Sequence, residues 1–185
     1  MNENIITALK EHSRSLDKID RDGIIRATKL IQKALKDGNK IFWCGNGGSA
    51  SQANHLSAEL IGGMFKDKKA PFKSICLNVD TAFISAWSND DSFDNVFIRQ
   101  LEALADSGDI LVALSTSGNS QNIINATKFC KQNDIKIISF TGFDGGLLKN
   151  NSDLNINIPV NCTQRVQEMH IFIGHIICDI IEKDL

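Results

Sequence analysis

The chain has no Gly-Lys-Ser/Thr tripeptide and no complete Gly-x-Gly-x-x-Gly run, which sets aside the P-loop and the dinucleotide fingerprint and, with them, a nucleotide cofactor. It has no Cys-x-x-Cys pair. Its five cysteines, Cys44, Cys76, Cys130, Cys162 and Cys178, are odd in number, scattered and mostly set in apolar runs, so they read as reduced core residues of a cytoplasmic protein. A formal net charge of -2 with 23% charged residues excludes a polyanion-binding surface and an acidic tail. With no basic patch and no helix-turn-helix pattern, nucleic acid is not an expected partner. No uninterrupted apolar stretch approaches membrane-spanning length, and Met1-Asn2-Glu3-Asn4 lacks a basic region followed by an apolar one. A soluble, unprocessed chain without a membrane partner is expected. Two prolines leave no Pro-rich linker, and there is no internal repeat or low-complexity stretch, so the 185 residues read as one domain, 1–185.

Two loops rich in glycine and serine stand out against these absences: Cys44-Gly45-Asn46-Gly47-Gly48-Ser49-Ala50 and Leu114-Ser115-Thr116-Ser117-Gly118-Asn119-Ser120. Each follows a short apolar run and leads into a helical pattern. Glycine lets the chain turn tightly and approach an anion, while hydroxyls and the N–H groups of the following helix supply donors and a positive dipole end. One such stretch is most often an ordinary turn. Three serines and a threonine in six residues, Ser115 to Ser120, exceed what a turn requires.

Apolar runs expected to form strands are Lys40–Cys44, Ser74–Leu77, Asp109–Leu114, Lys136–Phe140 and Leu154–Ile158, broadly alternating with helical patterns. The chain opens with two amphipathic helices, the second stopped by Asp37-Gly38-Asn39. The expected fold class is therefore α/β: a three-layer α/β/α sandwich around a five-stranded parallel sheet, covered on both faces and preceded by N-terminal helices. Both hydroxyl-rich loops then lie at the carboxyl ends of strands, where the ligand crevice of such sheets forms. Phe65–Lys73 and Gly142–Gly146 are the most turn-like connections.

The helix expected over Ser49–Met64 carries His55 and Glu59 four residues apart, on one face. An isolated pair of this kind is usually a solvated ion pair. Here Ala53, Leu56, Ala58 and Leu60 are expected to bury the helix, and its N-terminus is the expected anion site, so a base and a ligand donor stand together. The last helix, beginning at Thr163, is apolar over its second half and encloses His175, which reads equally as a core histidine and as a functional one. Gln167 and His175 are eight positions apart, roughly 12 Å along a helix axis. A single centre using both implies a distorted helix or a pocket shared between subunits.

Taken together, Cys44-Gly45-Asn46-Gly47-Gly48-Ser49, His55 with Glu59, Asn89-Asp90, Ser115-Thr116-Ser117-Gly118-Asn119-Ser120 and Arg165-Val166-Gln167-Glu168 with His175 resemble the bacterial phosphoheptose isomerases of the sugar-isomerase (SIS) superfamily. The likeness spans nearly the whole chain. It implies a flavodoxin-like fold and a homotetramer whose active sites lie at subunit interfaces, the helical segment 1–38 serving oligomerisation. It also implies an aldose–ketose isomerase that converts sedoheptulose 7-phosphate to D-glycero-D-manno-heptose 7-phosphate through an enediol, for lipopolysaccharide or capsule heptose. By resemblance Ser115, Thr116, Ser117 and Ser120 hold the phosphate. Asn46, Gly47, Gly48, Ser49, Glu59, Asn89, Asp90 and Gln167 bind the rest of the substrate, and Glu59 and His175 are catalytic. Zinc is implied as a cofactor, with His55, Glu59, Gln167 and His175 as its ligands.

Two positions depart from the usual pattern of the family: Gly63 stands where many relatives have Arg, and Gln164 where they have Asp. Two alternatives remain at this point. One is a non-catalytic SIS protein that binds a partner such as a replication initiator; the other is an isomerase of a different sugar phosphate. Glu59 and His175 together favour an enzyme.

Overall fold

A computed structural model describes residues 1–64 and 71–185. Helices α1 (Asn2–Leu16) and α2 (Arg21–Lys36) open the chain. The Asp20 carboxylate starts α2 by accepting the Gly23 N–H at 3.0 Å, and Gly38, at φ +83°, ends the turn that follows it. Then come β1 (Ile41–Gly45), α3 (Gly48–Gly62), β2 (Ser74–Cys76), α4 (Thr81–Asp90), a 3-10 turn (Phe93–Asn95) and α5 (Val96–Leu104). The order continues with β3 (Ile110–Ser115), α6 (Gln121–Gln132), β4 (Lys136–Gly142), α7 (Leu148–Asn151), β5 (Leu154–Ile158) and α8 (Thr163–Asp184).

All strand pairs are parallel and the sheet order is β2-β1-β3-β4-β5. That is the flavodoxin-like order, in which the direction of winding reverses between β1 and β3. Fully buried β1 and β3 explain their unbroken apolar sequences, since both faces meet helices. One core layer joins the sheet to α2, α3 and α8 through residues such as Ile31, Trp43, Leu56, Phe140 and Ile173. The other joins it to α5, α6 and α7 through Phe42, Phe97, Leu101, Leu111, Ile123 and Leu148.

The five strands expected from sequence are all present, with small shifts. Lys40 and Asp109 sit just before their strands. The buried Asp109 carboxylate accepts the Lys40 backbone N–H at 2.7 Å and that of Asp106 at 2.8 Å, fixing the edge of the sheet opposite the ligand crevice. Strand β5 meets α2 on one face and α7 on the other, and it alternates buried and half-buried residues. Asn155 and Asn157 face a polar ladder there: Asn155 Nδ2 donates to Ser139 Oγ and Thr141 Oγ1 at 2.8 Å, and Thr141 Oγ1 donates to Asn157 Oδ1 at 2.9 Å. An edge strand can carry such a pattern because only one of its faces needs an apolar partner.

Helix α3 stops at Gly62 rather than at Met64, with Gly63 at φ +80° turning the chain out. Ala58, expected in its buried face, is exposed, while Ala53, Leu56 and Leu60 are buried. Helix α8 is continuous over 22 residues, so it is not the distorted helix that convergence of Gln167 and His175 would have needed. Most of the stretch Phe65–Lys73 lies outside the described residues. Four of the five cysteines are buried and all are free. Burial pushes the thiols of Cys130 and Cys178 up to about 12, which keeps them protonated and unreactive.

Candidate active site

Helices α3 and α8 lie side by side and run in the same direction. Their contacts keep sequence order: Gln52 Nε2 donates to the Gln167 carbonyl at 2.7 Å, His55 meets His175, Leu56 meets Cys178, and the Met64 N–H reaches Glu182 at 2.7 Å. Gly174 permits this closeness, because a Cβ there would run into the Leu56 side chain. A seam two turns long thus connects the carboxyl edge of the sheet to a group of ionisable side chains.

At the sheet edge the two hydroxyl-rich loops form one cleft of about 100 Å³ lined by Asn46, Ser49, Ser115, Thr116, Ser117, Ser120 and Gln167. Ser115 Oγ lies 3.2 Å from Ser120 Oγ, so hydroxyls from both ends of the second loop converge. Gly47 turns the first loop at φ +55°, and Gly48 lets α3 start against Gln167: a Cβ on Gly48 would stand 2.7 Å from Gln167 Nε2. The N-termini of α3 and α6 follow the two loops directly, which adds positive dipole ends to the donors.

Two turns along the seam, His55 Nε2 stands 2.8 Å from His175 Nε2 and 3.3 Å from Glu59 Oε1. One donor atom from each of the three side chains falls within 4.8 Å of the others. His55 is about half exposed at 49%, Glu59 less so at 21%. Two imidazole nitrogens at hydrogen-bond distance cannot both carry hydrogen toward each other. Either one donates to the other, or a cation stands between them. The donor set of two imidazoles and a carboxylate is one that zinc accepts.

The structure brings the remaining expected residues together only in part. Gln167 lines the serine cleft and stands roughly 12 Å along α8 from His175. Within one chain it therefore belongs with the anion loops rather than with the three-residue group. Asn89 and Asp90 end α4, are exposed, and are hydrogen-bonded to each other at 2.8 Å; neither lines the cleft. Gln164 is exposed at the start of α8.

Three residues with structural claims on the site were not singled out from sequence. Asn122, in the first turn of α6, pairs its side-chain amide with that of Asn46. Asn119 bridges the Ser117 carbonyl (3.0 Å) and the Leu147 N–H (3.0 Å), tying the serine loop to the loop after β4. His170 is fully buried against Phe140 and donates from Nε2 to the Thr141 carbonyl at 3.0 Å. Burial lowers its pKa from 6.5 to about 4, so it is a neutral donor under the end of β4.

Comparison with known proteins agrees with this architecture. The SIS domain family model matches residues 6–142. A phosphoheptose isomerase of Aliarcobacter butzleri is 43% identical over 188 residues, covering all of this chain and 99% of the relative. One from Clostridium acetobutylicum is also 43% identical, over 99% of this chain and 96% of its own. The solved phosphoheptose isomerase of Neisseria gonorrhoeae superposes with a TM-score of 0.90 at 37% identity, covering 98% of both chains. That of Francisella tularensis does so at 0.91 and 31% identity, over 98% of this chain and 96% of its own. The chain belongs to the SIS domain family and, within it, to the phosphoheptose isomerases.

Proposed function

We propose that the protein interconverts sedoheptulose 7-phosphate and D-glycero-D-manno-heptose 7-phosphate. The observation that carries this reading is the seam itself, with a serine-lined anion cleft at one end and Glu59, His55 and His175 converging at the other. A ketose becomes an aldose when one hydrogen moves between neighbouring carbons through a cis-enediol. The reaction needs a phosphate anchor, a base near C1 and C2, and a group that carries protons between the two oxygens. Ser115, Thr116, Ser117 and Ser120 serve as the anchor. Glu59 takes the proton from one carbon and returns it to the other, and His175 carries the oxygen-bound proton. Both electrons stay in the sugar, so no nucleotide cofactor is called for.

The residues fit a zinc ion, which His55, Glu59 and His175 would hold. Bound there, zinc supplies polarisation of the sugar carbonyl. Gln167 would join this group from a second chain, and Asn89 and Asp90 would reach the substrate in the same assembly. The assembly we propose is the homotetramer. Support comes from α1, whose Ile5, Ile6 and Leu9 are exposed, and from an apolar groove that Leu16, Ile19 and Ile25 form with Phe172, Ile176 and Ile180 of α8; exposed apolar surface of this kind is what the segment 1–38 would bury on assembly. We place the reaction in the cytoplasm, feeding heptose to lipopolysaccharide or capsule.

Incubation with a panel of ketose phosphates in deuterated water tests the reaction. Sedoheptulose 7-phosphate should yield the aldose with solvent deuterium at the carbon that receives the returned proton. Isomer formed without deuterium would exclude a Glu59 shuttle open to solvent, and no isomer would exclude the activity.

A further inference from the structure

The two anion loops are joined by a pair of side chains. Asn46 of the first loop donates from Nδ2 to Asn122 Oδ1 at 2.9 Å, and Asn122 donates from Nδ2 back to Asn46 Oδ1 at 3.0 Å. Asn122 is buried at 2% exposure and belongs to α6, whereas Asn46 follows β1 and lines the cleft. The pair therefore crosses between the β1–α3 and β3–α6 connections at the point where the sheet changes its direction of winding.

A primary amide has two nearly isosteric orientations, and what decides between them is its hydrogen-bond partners. Asn122 has a third contact: its Oδ1 also accepts the Ile123 backbone N–H at 2.9 Å, in the first turn of α6. Turning that amide over would set an NH2 group against an N–H donor at the positive end of a helix, which is unfavourable on both counts. The orientation of Asn122 is thus fixed by the helix start. Because the pairing is reciprocal, the orientation of Asn46 is fixed in turn, and one N–H and one carbonyl lone pair of Asn46 remain for a ligand.

We propose that Asn122 is a positioning residue of the sugar-phosphate site, which touches no substrate but dictates the face that Asn46 presents to it. The inference rests on the proposed function only in taking a sugar phosphate as the ligand of the cleft. Without Asn122, the Asn46 amide rotates freely and the ligand has to select one of its orientations, a cost met on binding.

A double-mutant cycle on Asn46→Ala and Asn122→Ala tests this, read both as kcat/KM and as the dissociation constant of sedoheptulose 7-phosphate by calorimetry. Asn122→Ala alone should lower kcat/KM and affinity about tenfold, the loss expected for one polar contact set adrift. In the Asn46→Ala background the same change should cost less than about twofold, because its target is gone. Asn122→Ser, which keeps an acceptor in the first turn of α6 but is too short for two-point pairing, should behave as Asn122→Ala does and guards against a misfolded alanine variant. A residue that matters only for packing would give losses that add in both backgrounds. Additive losses, or an Asn122→Ala enzyme within about twofold of the parent, overturn the proposal. Parent protein that binds the sugar phosphate without isomerising it would sink the proposed reaction alone, since the affinity arm of the cycle still reads the pair.

Discussion

At one end of the α3–α8 seam the groups proposed to anchor phosphate sit on loops that the sheet, two helix starts and the reciprocal Asn46–Asn122 pair hold in place, whereas at the other end three side chains lean on one another, partly open to solvent. Ser115 and Ser49 are buried, Asn122 and Asn119 brace their loops, and His170 lies in the core beneath. His55, by contrast, is half exposed, and His175 and Glu59 are only partly covered. A phosphate does not change during the reaction, so its site gains from rigid donors. Carbon and oxygen protons do move in the proposed reaction, so a site for them needs side chains that can exchange protons and room for the sugar. His170, fully buried, is held as a neutral donor, whereas half-exposed His55 and partly covered His175 stand open to a ligand.

The largest effect should come from the more open end, where Glu59 and His175 stand. Glu59→Gln keeps the shape and removes the proposed base, so turnover of sedoheptulose 7-phosphate should fall by roughly 10²- to 10⁴-fold. His175→Gln should abolish measurable turnover as well. In both variants the thermal stabilisation that the sugar phosphate confers should survive, because the anchor is untouched. A near-parental rate in either would remove the role given to that residue.

A smaller effect, on stability rather than rate, should come from His170. Unfolded chains take up a proton at this imidazole near pH 6.5, but the folded chain refuses it until about pH 4. Above pH 6.5 the residue has no leverage; as pH falls from there toward 4 the unfolded state is increasingly favoured, by up to about 3 kcal/mol. Melting temperatures measured across that window should fall less steeply in His170→Gln than in the parent. Identical slopes would place the acid sensitivity elsewhere.

The rigid end was the more legible in sequence. Buried parallel strands must be apolar on both faces, so β1 and β3 announced themselves, and glycine with serine at strand ends announced the loops. Helix pairing is not written locally, and the convergence of His55 with His175 depends on α3 and α8 running parallel, which no spacing reveals. His175 was ambiguous because it sits in an apolar run, yet His170 is the true core histidine. It shares the stripe of Val166, Met169, Ile173, Gly174, Ile177 and Cys178 at helical spacing, a pattern that was available in the sequence. Asn122 left no signal, since a single asparagine in the first turn of a helix is ordinary and its partner lies 76 residues away.

The gentlest change tests whether the rigid end only anchors. Removing the hydroxyls of Ser115 and Ser117 leaves the loop backbone, the dipole ends of α3 and α6 and Gly118 at φ +65° in place. The phosphate would still bind, but with two donors fewer. Each lost hydrogen bond to a charged group costs about 1.5–3 kcal/mol at most, and less where water fills the gap. Because the phosphate keeps its charge and position from ground state to transition state, the loss is equal in both, and KM should rise while kcat stays within about twofold. Steady-state kinetics of the Ser115→Ala and Ser117→Ala double variant would show it. A fall in kcat at unchanged KM would mean that these serines take part in the chemistry, and would erase the division between a fixed anchor and an adjustable proton site.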